Sequence, residues 1–126
     1  AGNPNTVFVS AGDNIGGSAY ISAIAQDVPT LQVLNAMDLV VSAVGNPDFD
    51  KGYADLRDRV LNAADFDYLG ANVGGAPEIA EPPYRIVNID GVDVAFVGTV
   101  TETTPTIVAA DGIKGLTFAT RSQRRT

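Results

Sequence analysis

The sequence predicts an α/β fold with a mixed, largely parallel sheet, flanking helices and a C-terminal hairpin. Short apolar, β-branched runs alternate with segments in which apolar residues recur at helical spacing. This alternation is typical of strand–helix–strand units with parallel pairing. Further along, Asp90 and Gly91 separate two alternating runs, and Asp-Gly in that position is a strong signal for an antiparallel hairpin.

The first half of the chain predicts two buried strands with helices between them. Residues 6–10 form an apolar run that Gly12 ends, and residues 39–44 form a second run. Between the two runs, Ser18 is a suitable N-cap for one helix. Pro29 suits the first position of another, where a missing N–H costs nothing.

The second half predicts a helix, a third strand, a loop and the hairpin. The helix begins at Asp50, and its apolar residues follow the helical period: Tyr53, Leu56, Val60 and Leu61. Residues 68–73 form the third strand. Residues 74–83 hold two glycines and three prolines, which indicates a loop. The hairpin strands are residues 84–89 and 92–97.

Composition limits the class of protein. Acidic residues outnumber basic ones by 15 to 8, giving a net charge of −7. Such a surface repels nucleic-acid phosphates, so no nucleic-acid partner is expected. The chain has no cysteine, which excludes disulfides and thiolate metal sites. No apolar run approaches the ~20 residues that span a bilayer, so no membrane span is expected.

The domain organisation is simple. The 126 residues suffice for one domain with one core, which we place at residues 1–120. The last six residues, 121–126, contain three arginines and differ in character from the rest. They are expected to be a disordered or artificial tail. The alternative is a basic patch for a partner.

A candidate site lies where two strands end. Asp13 and Asn46 follow the first and second predicted strands. In open α/β sheets ligands bind at the carboxyl ends of the strands, and carboxylate and amide oxygens suit a hard divalent metal. The alternative is structural: Asp13 and Asn46 are good turn formers, and Asp50 is a good N-cap.

Two motifs resemble a known family. Residues 10–18 read Ser-Ala-Gly-Asp-Asn-Ile-Gly-Gly-Ser, and residues 44–50 read Val-Gly-Asn-Pro-Asp-Phe-Asp. They are similar to Gly-Asp-x-x-x-Gly-Ser and Gly-Asn-His-Glu-Phe-Asp in the N-terminal dinuclear metallophosphatase (calcineurin-like phosphoesterase) domain of the 5'-nucleotidase family. Weaker matches follow in the same order, so the resemblance covers residues 5–118. It implies part of an αββα sandwich, two divalent metal ions in the family, and a secreted or extracytoplasmic location.

The resemblance also assigns roles to residues. Asp13 matches the metal-bridging ligand, Asn46 a ligand of one metal, and Asp50 the acid that orients the catalytic histidine. Pro47 occupies the histidine position, and proline has no side-chain donor or acceptor. The chain has no histidine at all, and the family's Asp-x-His motif and last two histidine ligands lie outside the matched region. Two ligands cannot hold two ions, so we expect vestigial sites, no bound cofactor and an inactive fragment or degenerate homologue, a pseudoenzyme.

Two other expectations concern partners. A small secreted binding module, such as an inhibitor of a secreted protease, would present residues 74–83 as a stiff loop. Its contact residues would be Pro77, Glu78, Ile79, Ala80 and Glu81. An ordinary connection is the simpler interpretation of this loop. A partial sheet would also leave an edge or an apolar face uncovered, so self-association is expected.

Overall fold

The fold is built on a three-stranded parallel sheet in a computed structural model that describes residues 2–120. The strands in spatial order are β1 (Phe8–Ser10), β2 (Leu39–Ala43) and β3 (Asp67–Leu69). Both strand pairs are parallel, and Ser42 at the centre lies between Ser10 and Tyr68. The predicted α/β class is confirmed. The predicted tail at residues 121–126 lies outside the described residues.

Two helices connect β1 to β2. They are α1 (Tyr20–Ala23) and α2 (Val28–Ala36). The predicted N-cap is wrong, because Ala19 precedes α1 and the Ser18 hydroxyl donates to the Asp27 carboxylate instead. Pro29 is the second residue of α2, still within the first turn, where the helix requires no N–H from it.

A continuous helical segment connects β2 to β3. It consists of α3 (Tyr53–Asp55), a π-helical turn (Leu56–Val60) and α4 (Leu61–Ala63). The segment begins after Gly52, later than the predicted start at Asp50. Arg59 donates to the backbone oxygen of Gln26 at 2.8 Å, which fastens this segment to the turn before α2. Its apolar side faces the core as the predicted spacing requires, with Leu56 and Val60 fully buried.

The remaining strands form two antiparallel pairs. They are β4 (Val73–Gly74), β5 (Arg85–Ile89), β6 (Val92–Phe96) and β7 (Thr117–Phe118), with β4 paired to β7 and β5 to β6. The predicted single strand at residues 68–73 is therefore wrong, since β3 and β4 belong to different sheets. The Gly70 N–H donates to the Ile79 oxygen at 2.7 Å, so the chain leaves the parallel sheet at this point.

The predicted hairpin is confirmed. Asp90 and Gly91 have φ values of 51° and 85°, as a two-residue turn with a left-handed backbone requires. The Asn88 side chain accepts the Gly91 N–H at 3.0 Å and donates to Asp93 at 2.7 Å. Within residues 2–120, β5 and β6 pair only with each other.

The predicted loop at residues 74–83 contains a short helix, α5 (Pro77–Ala80). Ile79 is 1% exposed and Ala80 is 8% exposed, so both belong to the core. Glu78 faces outward and accepts a hydrogen bond from the Tyr53 hydroxyl. Two of the five residues predicted to contact a protease, Ile79 and Ala80, are therefore buried in the fold.

The core lies between the parallel sheet, the helices and the C-terminal segment. That segment contains two 3-10 turns, Thr104–Thr106 and Ala110–Ile113. The largest fully buried apolar side chains are Phe49, Leu31, Leu56, Ile79, Val44, Val60 and Val73. Among residues 2–120, no helix is both long enough and apolar enough to span a bilayer.

Candidate functional site

The candidate site is formed by two loops at one edge of the sheet. Because β1 and β2 run parallel, their carboxyl ends meet there. We call residues 11–19, which follow β1, the Asp13 loop, and residues 44–50, which follow β2, the Asn46 loop. Asp13 itself has a left-handed backbone with φ of 58°, which aspartate tolerates better than most residues.

Glycines allow the two loops to touch. A Cβ placed on Gly12 would lie 2.9 Å from the Gly45 nitrogen. A Cβ on Gly45 would overlap the Asp13 Oδ1 atom and lie 2.6 Å from the Asp13 nitrogen. A Cβ on Gly16 would overlap the Pro47 carbonyl oxygen. The structure thus places the Asp13 carboxylate against the residue that precedes Asn46.

Asp48 joins the two loops through its buried carboxylate. Its side chain is 2% exposed, and it accepts the Gly45 N–H at 2.7 Å and the Ile15 N–H at 3.2 Å. Burial raises the pKa of the Asp48 carboxyl to about 6, and the nearby charge of Asp13 adds to the rise, while the backbone N–H donors oppose it. The motif in the sequence assigned Asp48 no role of its own, so this buried link was not predicted.

Asp50 lies at the rim of the site. The residue is exposed, and its Oδ2 atom would lie 2.9 Å from a Cβ on Gly16. Its N–H donates to the Pro47 oxygen at 3.0 Å, which closes the 3-10 turn Pro47–Phe49. The alternative interpretation of Asp50 as a helix N-cap is wrong, since Gly52 precedes α3.

A network of polar side chains connects the Asp13 loop to all three parallel strands. Asn14 accepts from Ser10 at 2.6 Å and donates to Ser42 at 2.8 Å and to the Tyr68 hydroxyl at 3.2 Å. Burial raises the pKa of the Tyr68 hydroxyl, and the charge of Asp48 raises it further. Asn14 therefore fixes the loop on the sheet, and no sequence pattern had marked it.

Asp27 holds the other end of the Asp13 loop. Its carboxylate is 4% exposed and accepts the Gly16 N–H at 3.1 Å, the Ser18 hydroxyl and the Ser22 hydroxyl at 2.8 Å. Burial raises the pKa of the Asp27 carboxyl, but these donors and the charge of Lys51 together hold it below its usual value. The carboxylate therefore acts as a fixed anchor for the glycine-rich loop.

The residues present do not fit a centre of two metal ions. Among residues 2–120, no three His, Cys, Asp or Glu side chains are grouped so that they could hold a metal ion. Asp48 uses its two oxygens on backbone N–H groups, which leaves Asp13 and Asn46 as the predicted ligands at the edge. Two ions ~3.5–4 Å apart require several ligands, so this donor set is too small.

Solved structures define the class of this fold. The chain superposes on a 5'-nucleotidase precursor from Thermus thermophilus with a TM-score of 0.76 and 26% identity, covering 93% of this chain and 23% of that one. It also matches the calcineurin-like phosphoesterase YfkN from Bacillus subtilis with a TM-score of 0.69 and 26% identity, covering 92% of this chain and 41% of that one. The fold is that of part of a calcineurin-like phosphoesterase domain.

Sequence relatives identify the family. The chain is 37% identical to endonuclease YhcR from Bacillus subtilis and 35% identical to cell wall protein Lmo0130 from Listeria monocytogenes, each over 90% of this chain. It is 29% identical to a snake venom 5'-nucleotidase from Gloydius brevicauda over 85% of this chain. No family model matches. The chain is homologous to part of the metallophosphoesterase domain of the 5'-nucleotidase family, and it spans 10%, 17% and 19% of the length of these three relatives. These similarities give the alternative of a protease inhibitor no support.

Proposed function

We propose that this chain is a phosphoesterase-family scaffold that does not hydrolyse phosphate esters by itself. The observation that supports the proposal is Pro47 in the catalytic histidine position of the Asn46 loop. A ring without donor or acceptor cannot stabilise charge on a transferring phosphoryl group. Since the 126 residues contain no histidine, no other side chain of this type can take its place.

The proline is accommodated as a backbone element. Pro47 is the first residue of its 3-10 turn, a position that requires no N–H donor. Its carbonyl oxygen accepts the Asp50 N–H and packs on Gly16. The loop therefore keeps its shape while the side chain contributes nothing to catalysis.

The predicted metal ligands support at most weak binding of one cation. Asp13 and Asn46 offer oxygen atoms of the type that Mg²⁺ and Mn²⁺ prefer. A hard cation usually needs about six oxygen ligands, and waters would have to supply most of them. We therefore propose that neither Asp13 nor Asn46 retains a tightly bound ion.

We also propose an extracytoplasmic location. The similarity to a cell wall protein and to a snake venom 5'-nucleotidase supports it. The assignment is tested by expressing the gene in its host and measuring the chain by immunoblot in cytosolic, membrane and medium fractions. Recovery with cytosolic markers alone would contradict it.

A hydrolysis assay tests the catalytic proposal. The substrates are AMP, p-nitrophenyl phosphate and single-stranded DNA, the last because one relative is named an endonuclease. Each is incubated with Mn²⁺, Co²⁺ or Zn²⁺, and no turnover above the metal-only background is expected. Turnover that Asp13→Ala removes, and that the exposed control Asp111→Asn retains, would overturn the proposal.

The reversion Pro47→His separates two causes of inactivity. If the set of metal ligands is too small, introducing the imidazole leaves the chain inactive, because the ions that would position the phosphate are still not bound. Activity gained by Pro47→His alone would show that Pro47 was the cause and that the donor set suffices. Isothermal titration with Mn²⁺ then reports directly on metal binding in both chains.

A further inference from the structure

The chain contains two Asp-Gly pairs, Asp90-Gly91 and Asp111-Gly112. An aspartate that precedes glycine is prone to spontaneous rearrangement, because glycine has no side chain to shield its backbone nitrogen from the neighbouring carboxyl group. Both aspartates are exposed, so residue type and exposure do not distinguish the two pairs. The backbone around each pair does.

The rearrangement takes place within the pair. The backbone nitrogen of the glycine attacks the side-chain carboxyl carbon of the protonated aspartate, and a C–N bond forms while the carboxyl OH leaves with the amide proton as water. Water then opens the resulting succinimide ring. Where it breaks the bond from the nitrogen to the original backbone carbonyl, the main chain continues through the side-chain carbon as isoaspartate. The attack requires a glycine nitrogen that is free to move.

The Asp90-Gly91 pair meets this requirement. Both residues have a left-handed backbone, with φ of 51° and 85°, which costs an aspartate more than a glycine. A Cβ on Gly91 would meet no described heavy atom within 4 Å beyond its chain neighbours. The Gly91 N–H donates to the side chain of Asn88 at 3.0 Å. Since Asn88 is exposed, rotation of its side chain releases the nitrogen without breaking the strand pairing.

The Asp111-Gly112 pair is held by the fold. It lies inside the 3-10 turn Ala110–Ile113, and the Gly112 N–H donates to the backbone oxygen of Ala109 at 3.0 Å. A Cβ on Gly112 would lie 2.8 Å from the Cα of Gly52, so the turn packs closely on the residue before α3. The last residue of the turn is buried. Freeing this nitrogen therefore requires the turn to leave the core, a local opening that costs more free energy than movement at a hairpin tip.

We propose that Asp90 is a site of spontaneous isoaspartate formation in the folded chain and that the fold protects Asp111. The modification adds one methylene group to the main chain inside a turn of two residues. That turn matches the register in which Ile89 faces Val92, so the longer main chain disturbs the pairing next to the turn. This inference is independent of the proposed loss of catalysis.

Ageing the purified chain at neutral pH and body temperature tests the proposal. Protein L-isoaspartyl methyltransferase methylates the new α-carboxylate and so measures the total isoaspartate. Electron-transfer fragmentation of the tryptic peptide 86–114, which carries both pairs, locates it. We expect about tenfold or more isoaspartate at Asp90 than at Asp111 in the folded chain. In urea, where the fold protects neither pair, the two residues should react at similar rates.

Matched variants separate the two pairs. Asp90→Glu and Asp111→Glu keep the charge but lengthen the side chain, so that attack would have to close a less favourable six-membered ring. Asp90→Glu should remove the methylation signal of the folded chain, and Asp111→Glu should leave it unchanged. Asn88→Ala removes the acceptor of the Gly91 N–H and should raise the rate at Asp90 about two- to tenfold, as the loss of one hydrogen bond predicts. Circular dichroism checks the folding of each variant.

Three results would overturn the proposal. One is equal isoaspartate at Asp90 and Asp111 in the folded wild-type chain, which needs no variant to fold. Another is a signal that Asp111→Glu removes and Asp90→Glu keeps. The third is a folded chain that forms no isoaspartate at Asp90 over the time in which the chain in urea forms it.

Discussion

The substitution Gly45→Ala tests the contact between the Asp13 loop and the Asn46 loop. A Cβ at this position would overlap the Asp13 Oδ1 atom and lie 2.6 Å from the Asp13 backbone nitrogen. The carboxylate can rotate away, but the nitrogen moves only if the loop moves. Gly45 does not have a positive φ, so the expected cost comes from the contact and not from the backbone conformation.

The magnitude follows from two opposing effects. Forcing a methyl group into a packed region costs about 1–3 kcal/mol. Replacing glycine with alanine also restricts the unfolded chain, which stabilises the fold by about 0.4–1 kcal/mol. The difference is a loss of about 0–2.6 kcal/mol in the free energy of unfolding, and the contact with a backbone nitrogen places the expected loss in the upper half of that range.

Urea denaturation followed by far-UV circular dichroism measures this loss. Gly2→Ala is the matched control, because no described heavy atom lies within 4 Å of a Cβ placed there, and it should change stability by less than about 0.5 kcal/mol. In the double variant with Asp13→Ala, the cost of Gly45→Ala should shrink, since the overlapping oxygen is gone. If Gly45→Ala is as stable as Gly2→Ala, the two loops are not in contact.

Two further substitutions test the anchors around the site. Asp27→Asn keeps the shape but removes the charge that faces Lys51 and Arg59, and should cost about 1.5–3 kcal/mol at neutral pH. Because the pKa of Asp27 is lowered in the folded state, the extra stability of the wild type over Asp27→Asn is full above the ordinary pKa of 3.8 and disappears as the pH falls through the folded pKa. Urea unfolding across acidic pH measures this dependence. A stability difference that does not change with pH would contradict it. Ile79→Ala should lower the free energy of unfolding by about 2–5 kcal/mol, because it leaves a cavity in the core. The control Glu81→Ala, at an exposed residue, should be nearly neutral, and thermal unfolding compares the two. Equal effects would place α5 outside the core.

The positions of β1, β2 and the hairpin were predictable because their signals are local. The apolar runs that became β1 and β2 are bounded by glycine or turn residues, and the Asp90-Gly91 pair requires the positive φ values that the structure shows. Each of these signals depends on a few neighbouring residues. They therefore appear in the sequence without knowledge of the tertiary fold.

The helix starts were not predictable in the same way. Ser18 and Asp50 are residue types that cap helices, but both side chains have other surroundings in the fold. The Ser18 hydroxyl bonds to Asp27, and the Asp50 carboxylate lies beside Gly16. Tertiary neighbours thus overrode local preferences, which a single sequence cannot reveal.

The buried carboxylates explain why part of the site was missed. In the sequence, Asp48 stands among turn residues and reads as an exposed side chain. It is buried because the Asp13 loop, which lies more than thirty residues earlier, supplies the Ile15 N–H to it. A local signal did exist, since an aspartate side chain can bond to the backbone three or four residues earlier, as Asp48 does by accepting the Gly45 N–H.

The edge of the sheet is stabilised by contacts that do not involve the proposed catalytic position. Gly12, Gly16 and Gly45 serve the contact between the loops, and that contact depends on backbone shape rather than on a bound ion. Asp48 then bridges the loops through two backbone N–H groups, so the loops have a link that requires no metal. Because Pro47 meets the demands of its turn, its presence does not strain the loop. The contacts that hold the two loops together therefore do not use the side chain of residue 47, so the proposed absence of catalysis is compatible with a stable fold.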